Sequence, residues 1–455
     1  MNRLGRRWRR IAGNPGSRRS QLVHAALGSG GIGMASRFLR VFTAIVLARI
    51  LGAEGYGIYA YAGSIVMLLS VPSELGLPRL VVREVAANRA LARWGYVRGL
   101  LQRAMQAIVL FSVGIIALAA LVGPMLSQRI EALDWTTFAW ALLLVPLGSL
   151  SALRGSALRG LHHIVTGQLP GALLRPIVFL LLISIALWAI RPLEPYQAMM
   201  LSVISATAAF AVGSWLLWRA LPSEVYRAIP VYETRRWMAS ALPFGLLAGI
   251  TLINSQTDII MLGLFSSASD VGIYRVATQG AMLVSFALMT INTVLSPNIA
   301  SLHASGDWDG LQRLITTSAR ATIIISVPVA LTLIIFGRPI LATVFGSEYS
   351  TGALALAVLC TGQLINAGFG SVGNILNMTG HERDSVVGVG IGAASNVILN
   401  LMLIPRWGIE GAAIASAVSI LVWNSWLTIV LYRRTGLLSI AIYPFLINKN
   451  SRVKH

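Results

Sequence analysis

Apolar stretches of about 20 residues recur along nearly the whole chain, separated by short polar or arginine-bearing joints. Each stretch is long enough to cross about 30 Å of hydrocarbon as a helix. A membrane barrel would show roughly ten-residue segments alternating apolar and polar residues, and that alternation is missing here. Composition closes the soluble option. Hydrophobic residues make up 56% of the 455 and charged ones 11%, against roughly 25% charged in a soluble domain. The chain is therefore read as an all-α polytopic membrane protein.

Hydrophobic runs and their breakers predict twelve spans, near 22–49, 56–77, 98–122, 134–152, 168–190, 196–218, 238–264, 270–295, 320–345, 351–376, 384–404 and 408–431. The net charge of +20 would suggest nucleic acid in a soluble protein, but its distribution reports topology. Arg79, Arg83, Arg89 and Arg93, then Arg154 and Arg159, then Arg227, Arg235 and Arg236, then Arg313 and Arg383 fall in alternate joints. By the positive-inside bias those joints and both termini are cytoplasmic. The first residues carry Arg3, Arg6, Arg7, Arg9 and Arg10 with no acid, and no short apolar core with a small-residue cleavage site follows, so they read as a cytoplasmic arm. The single cysteine, Cys360, lies inside an apolar run, which leaves neither a disulfide framework nor a thiolate metal site within one chain.

The expected organisation is a basic arm over 1–20, a six-helix bundle over 21–219, a polar linker over 220–237, a second six-helix bundle over 238–432 and a tail over 433–455. Gly57-Ile58-Tyr59 and Gly272-Ile273-Tyr274 open the second helix of each half. Basic or mixed amphipathic segments at 79–97 and 302–319 precede each third helix, so the layout is expected to repeat. Parallel repeats of this kind are a transporter architecture with the substrate path between the halves.

A charged group at bilayer depth costs about 2.5–3.5 kcal/mol on insertion scales, so charges well inside spans carry functional information. Arg37 and Arg40 share a helix face at i,i+3 spacing, Arg175 precedes Pro176, and Arg275 lies near the start of the eighth span. They are candidates for attracting an anionic substrate through guanidinium forks; headgroup snorkelling is the alternative, above all for Arg275. Asp258 is the one carboxylate placed deep in a span. It is read either as a proton or sodium coupling site or as the ion-pair partner of an arginine. Asn254, Gln256 and Gln279 are polar cavity candidates.

Other motifs carry less. The glycines from Gly28 to Gly33 lack the preceding strand and the lysine of a phosphate loop. Asp307-Trp308-Asp309 has a D-x-D form but sits in a joint and reads as a helix start. The adjacent His162 and His163 cannot face one metal from a helix. No metal or cofactor is expected, beyond coupling to an H+ or Na+ gradient or to the membrane potential.

The runs Ile50-Leu51-Gly52-Ala53-Glu54-Gly55-Tyr56-Gly57-Ile58-Tyr59-Ala60, Glu74-Leu75-Gly76-Leu77-Pro78 and Val82-Arg83-Glu84-Val85-Ala86 resemble bacterial polysaccharide-biosynthesis flippases of the Wzx type. Asn377-Met378-Thr379-Gly380 and Ile404-Pro405-Arg406-Trp407-Gly408-Ile409-Glu410-Gly411-Ala412-Ala413 are similar to a later region of the same proteins. The wider group is the multidrug/oligosaccharidyl-lipid/polysaccharide exporter superfamily. The resemblance implies a MATE-like fold of two six-helix bundles, and a non-enzymatic flippase moving an undecaprenyl-diphosphate-linked oligosaccharide across the bacterial inner membrane. Its implied partners are that lipid-linked substrate, membrane lipids, and a polysaccharide polymerase with chain-length machinery; nucleic acid is not among them. Two alternatives stay open: a multidrug or cation exporter of the same superfamily, and a membrane polysaccharide polymerase or glycosyltransferase. The short outer joints speak against the latter.

Overall fold

The structure is a computed structural model that describes residues 18–189 and 192–441. The arginines expected in the arm before residue 18, and Lys449, Arg452 and Lys454 of the tail, lie outside the described residues. Among the described residues nine helices are long and apolar enough to cross a membrane, or ten if one bent pair counts as a single crossing. That pair is α1 (Arg18–Glu74) and α2 (Leu77–Ala90). Two helical runs are each a pair of helices joined at a glycine: α1 has 57 residues and α16 (Glu382–Thr435) has 54, more than one bilayer crossing needs at 1.5 Å per residue. Each breaks at a glycine, Gly52 with φ 68° and Gly408 with φ 50°, backbone values that disfavour a side chain. In α16 the break is a reversal, because Gly388 faces Leu427 and Gly392 faces Trp423. The expected count of twelve rests on taking α1 and α16 as two crossings each.

The chain forms two compact units that are discontinuous in sequence. The first contains 1–46, 66–125 and 135–248; the second contains 47–65, 126–134 and 249–455.

In the first unit, α2 is amphipathic. Leu77, Leu80, Val81 and Val85 are buried while Arg79, Arg83 and Arg89 stay exposed, the 3–4 spacing of one apolar stripe. That stripe packs on α3 (Trp94–Ser127) through Val97, Leu100, Ala104 and Ile108, on α5 (Leu144–Gly160) through Leu153 and Ala157, and on Trp237 and Ala241. α2 starts sharply because Gly76 has φ 75° and Pro78 occupies the first turn. The short α4 (Trp135–Leu142) leads into α5, and α6 (Ile164–Leu169) continues through a π-helical turn, Pro170–Leu174, into α7 (Arg175–Ala189), which packs on α8 (Pro195–Ala220). The linker that follows is strapped to the start of α3. α9 (Ser223–Arg227) precedes an extended stretch in which Arg98 Nη1 donates to the carbonyls of Tyr226 (2.6 Å) and Ala228 (2.8 Å), and Val231 N–H donates to the Gly95 carbonyl (3.0 Å).

In the second unit, α11 (Ala268–Ala304), α12 (Trp308–Ile335), α14 (Ala353–Phe369) and α16 pack around one another. Leu295, Ile299, Leu311, Ile315, Leu427 and Leu431 form a buried cluster with Val372, Ile375 and Leu376 of α15 (Val372–Met378). α13 (Gly337–Val344) and a 3-10 turn over Ser347–Gly352 connect α12 to α14. Arg49 donates to the carbonyls of Thr343 and Val344, Glu348 accepts from Ala53 N–H (3.0 Å), and Tyr349 Oη donates to the Ala48 carbonyl (3.0 Å). These bonds tie the Gly52 turn to the end of α13.

Two expectations are corrected. The segment 302–319 is no separate element, because α11 runs to Ala304 and, after a turn at Gly306, α12 begins at Trp308. Its presumed counterpart is a separate helix only because Gly76 and Pro78 break the chain there. The fourth span does not end near 152. α5 continues to Gly160, so Arg154 lies within it and is only 7% exposed. Gly155 and Gly167 let α5 and α6 approach backbone to backbone, and arginine is a good helix former.

Candidate functional site

Asp258 lies in α10 (Thr234–Phe265), in the stretch of that helix belonging to the second unit. Its carboxylate collects four neutral donors. Asn396 Nδ2 (2.9 Å) and Asn400 Nδ2 (2.7 Å) donate to Oδ1, while Tyr274 Oη (2.7 Å) and Ser416 Oγ (2.5 Å) donate to Oδ2. Four donors fill the roughly four lone-pair sites of a carboxylate. They come from α11 and from both arms of the α16 hairpin, so the cluster ties α10 to three other segments at one point. Asn400 also donates to Asn396 Oδ1 (3.1 Å), and its own Oδ1 accepts no hydrogen bond. No arginine pairs with Asp258 among the described residues. The expectation of an ion-pair partner is thereby replaced by a neutral cage.

The remaining candidates of this unit sit near by in sequence. Gln256 is 7% exposed, donates to Ser255 Oγ (3.3 Å), and leaves its Oε1 without a partner. Asn254 is half-buried. Gln279 Nε2 donates to Tyr56 Oη (3.0 Å). Arg275 is half-buried near the start of α11.

These groups are brought into reach by the two Gly-Ile-Tyr motifs. A Cβ on Gly57 would meet the backbone of Ala268, and one on Gly272 would meet the backbone of Ala53. The two glycines allow backbone contact between α1 and α11, as small residues do in membrane helix pairs. That crossing sets Tyr56 beside Gln279, while Tyr274, two residues after Gly272, reaches Asp258.

In the first unit, Arg37 is half-buried on α1 and Arg40 is exposed. Arg175 begins α7 directly after the π-helical turn and donates to Ser202 Oγ of α8 (3.4 Å). Asn396 and Asn400, i,i+4 on α16, were not marked as site residues. Nor were Tyr274 and Ser416, since nothing local singles out a tyrosine in a repeat motif or a serine among small residues.

The helices and their arrangement define a class, the multi-pass membrane proteins with the fold of the MOP superfamily of transporters. The chain covers 90% of itself and 98% of an inward-facing multidrug resistance MATE family transporter of that superfamily, with a TM-score of 0.73 at 12% identity. Against lipid II flippase MurJ in an inward closed conformation the TM-score is 0.72 at 13% identity, covering 89% of this chain and 87% of that one. Such identities establish the fold alone. The polysaccharide biosynthesis protein family model matches residues 27–303, and the chain belongs to that family. The MatE model matches residues 246–402. Among curated relatives, the probable low-salt glycan biosynthesis flippase Agl15 of Haloferax volcanii is 24% identical over 165 residues, 36% of this chain and 35% of the relative. The probable flippase AglR of the same organism is 32% identical over 169 residues, again 36% and 35%. The matches span about a third of these relatives' length.

Proposed function

We propose that this chain is a flippase that moves an undecaprenyl-diphosphate-linked oligosaccharide across the inner membrane, by alternating access, for the building of a surface polysaccharide. The observation that carries the reading is the polysaccharide biosynthesis family match over residues 27–303. The flippase names of the Haloferax relatives support it. The charge pattern supports it as well. A chain with 36 basic and 16 acidic residues has its mid-span cations at Arg37, Arg40, Arg175 and Arg275, and guanidinium suits a diphosphate. In this reading each of these arginines attracts the diphosphate while the lipid tail stays in hydrocarbon. The chain performs no covalent chemistry, and Asp258 binds the coupling ion, H+ or Na+. Both termini face the cytoplasm, and a polymerase with its chain-length machinery receives the delivered units.

The MatE match over 246–402 favours a second reading, export of drugs or cations. One experiment separates them. Purified protein in liposomes is given fluorescently traced undecaprenyl-diphosphate-oligosaccharide, and wild type is compared with Arg37→Ala/Arg40→Ala. The expected result is protein-dependent transfer that the double variant slows at least tenfold. Absence of transfer together with efflux of a cationic dye would reject the flippase and make the arginines structural.

A further inference from the structure

The first unit contains a cavity of about 390 Å³ between α3, α5, α8 and the linker helix α9. Its walls are apolar, with Leu101, Met105, Leu150 and Leu217 among them, yet two guanidinium groups, Arg98 and Arg154, line it too. Both lie near an end of their helices. Arg98 is four residues into α3 and Arg154 six residues before the end of α5, about 6 Å and about 9 Å along the helix axes. The rim residues Met105, Trp218 and Tyr226 are exposed. Trp and Tyr are the side chains that settle at headgroup level, and Arg103 and Arg219, each stacked on an aromatic ring, add positive charge around the opening.

Arg154 is the anomaly in this cavity. It is 7% exposed, its Nη1 donates only to the Phe210 carbonyl and to Ser214 Oγ (3.4 Å), and its Nε has no partner. No carboxylate pairs with Arg154 or with Arg98 among the described residues. A buried cation of this kind is costly unless an anion balances it. The chain nevertheless makes room for it. The guanidinium lies against Gly213, where any Cβ would collide with it, and stacks over the Phe210 ring at 5.1 Å. The cradle, the missing counter-charge and the apolar walls together call for an amphiphile with an anionic head.

We propose that this cavity binds an anionic phospholipid of the leaflet on the arginine-rich side, its phosphate between Arg98 and Arg154 and one acyl chain along Leu101, Met105, Leu150 and Leu217. The linker belongs to the site. Arg98 holds the Tyr226 and Ala228 carbonyls, so the residue that meets the phosphate also straps down the segment that roofs the cavity. The proposal is independent of which cargo the protein carries.

The test uses the full chain in phosphatidylcholine vesicles containing a trace of phosphatidylglycerol with a photoactivatable diazirine near the end of one acyl chain. Irradiation and peptide mapping are expected to place label on the α3, α5 and α8 segments that line the cavity. Excess unlabelled phosphatidylglycerol should reduce that label at least fivefold, and the same excess of phosphatidylcholine less than twofold. Arg98→Gln/Arg154→Gln should lower labelling at least fivefold, as should Gly213→Leu, which keeps both arginines but displaces one. Equal competition by the two phospholipids, or undiminished labelling in the arginine pair variant, would overturn the proposal. So would competition by undecaprenyl phosphate at concentrations where phosphatidylglycerol has no effect, which would hand the cavity to a polyprenyl lipid. The competition arm needs only wild-type protein and decides the matter even where a variant does not fold.

Discussion

Asp258 and its four donors carry the sharpest consequences at the scale of single residues. Asp258→Asn keeps the size of the side chain but removes the charge and turns an NH2 toward groups that donate. Stimulation of lipid-linked sugar transfer by an imposed H+ or Na+ gradient is expected to fall at least tenfold in this variant, measured in the same liposomes. Transfer that responds to the gradient as wild type does would remove Asp258 from coupling. Asp258→Ala should also destabilise the fold, because buried donors left without an acceptor cost about 1–3 kcal/mol each; thermal unfolding in detergent measures this. One member of this cluster was legible in the sequence. Asp258 stood out as the one deep carboxylate. Ser416 was hidden because its contact with Asp258 spans a sequence separation of 158, and no local pattern encodes such a distance. Arg154 was misplaced for a related reason. A positive charge near a helix end reads as a marker of topology, and only the helix's actual length and its Gly213 cradle reveal it as buried.

At the scale of elements, glycine decides where helices break and where they touch. Gly52 and Gly408 interrupt long helical runs, and both breaks were legible as the joints between the predicted spans 22–49 and 56–77 and between 384–404 and 408–431. Gly57 and Gly272 were legible as a repeated tripeptide. What the repeat does was not, since the approach of α1 to α11 is a tertiary event. Gly57→Leu or Gly272→Leu would drive a side chain into a backbone carbonyl of the opposing helix. Overpacking typically costs about 1–3 kcal/mol, and here backbone rather than a flexible side chain must yield. A lowered unfolding midpoint in detergent is expected for either variant. Gly63 provides the control, because nothing lies within 4 Å of a Cβ added there. Gly63→Ala should be neutral or stabilising, given the better helix propensity of alanine by about 1 kcal/mol; an equal loss in all three variants would mean that the crossing is not special.

At the scale of the whole molecule, membrane character was legible from composition and periodicity alone, because length and apolarity are properties of contiguous sequence. The proposed cytoplasmic placement of both termini, argued from where arginine falls between spans, makes a direct prediction. Green fluorescent protein fused to either terminus should fluoresce, and alkaline phosphatase fused to either should be inactive, in intact cells; an active phosphatase at one end would require an odd number of crossings. The division into units was less accessible, because residues 47–65 and 126–134 pack with a unit whose other residues begin only at 249. That interleaving has a genetic meaning. A gene cut at the linker would not yield a pair of self-sufficient modules, since the later fragment would lack the turn at Gly52 that Glu348 and Tyr349 hold through the Ala53 N–H and the Ala48 carbonyl, and whose Arg49 reaches the Thr343 and Val344 carbonyls. Exchange of halves between homologues is constrained in the same way: the later half and that early turn must come from one ancestor, and they are inherited as a single piece although the chain writes them some 200 residues apart.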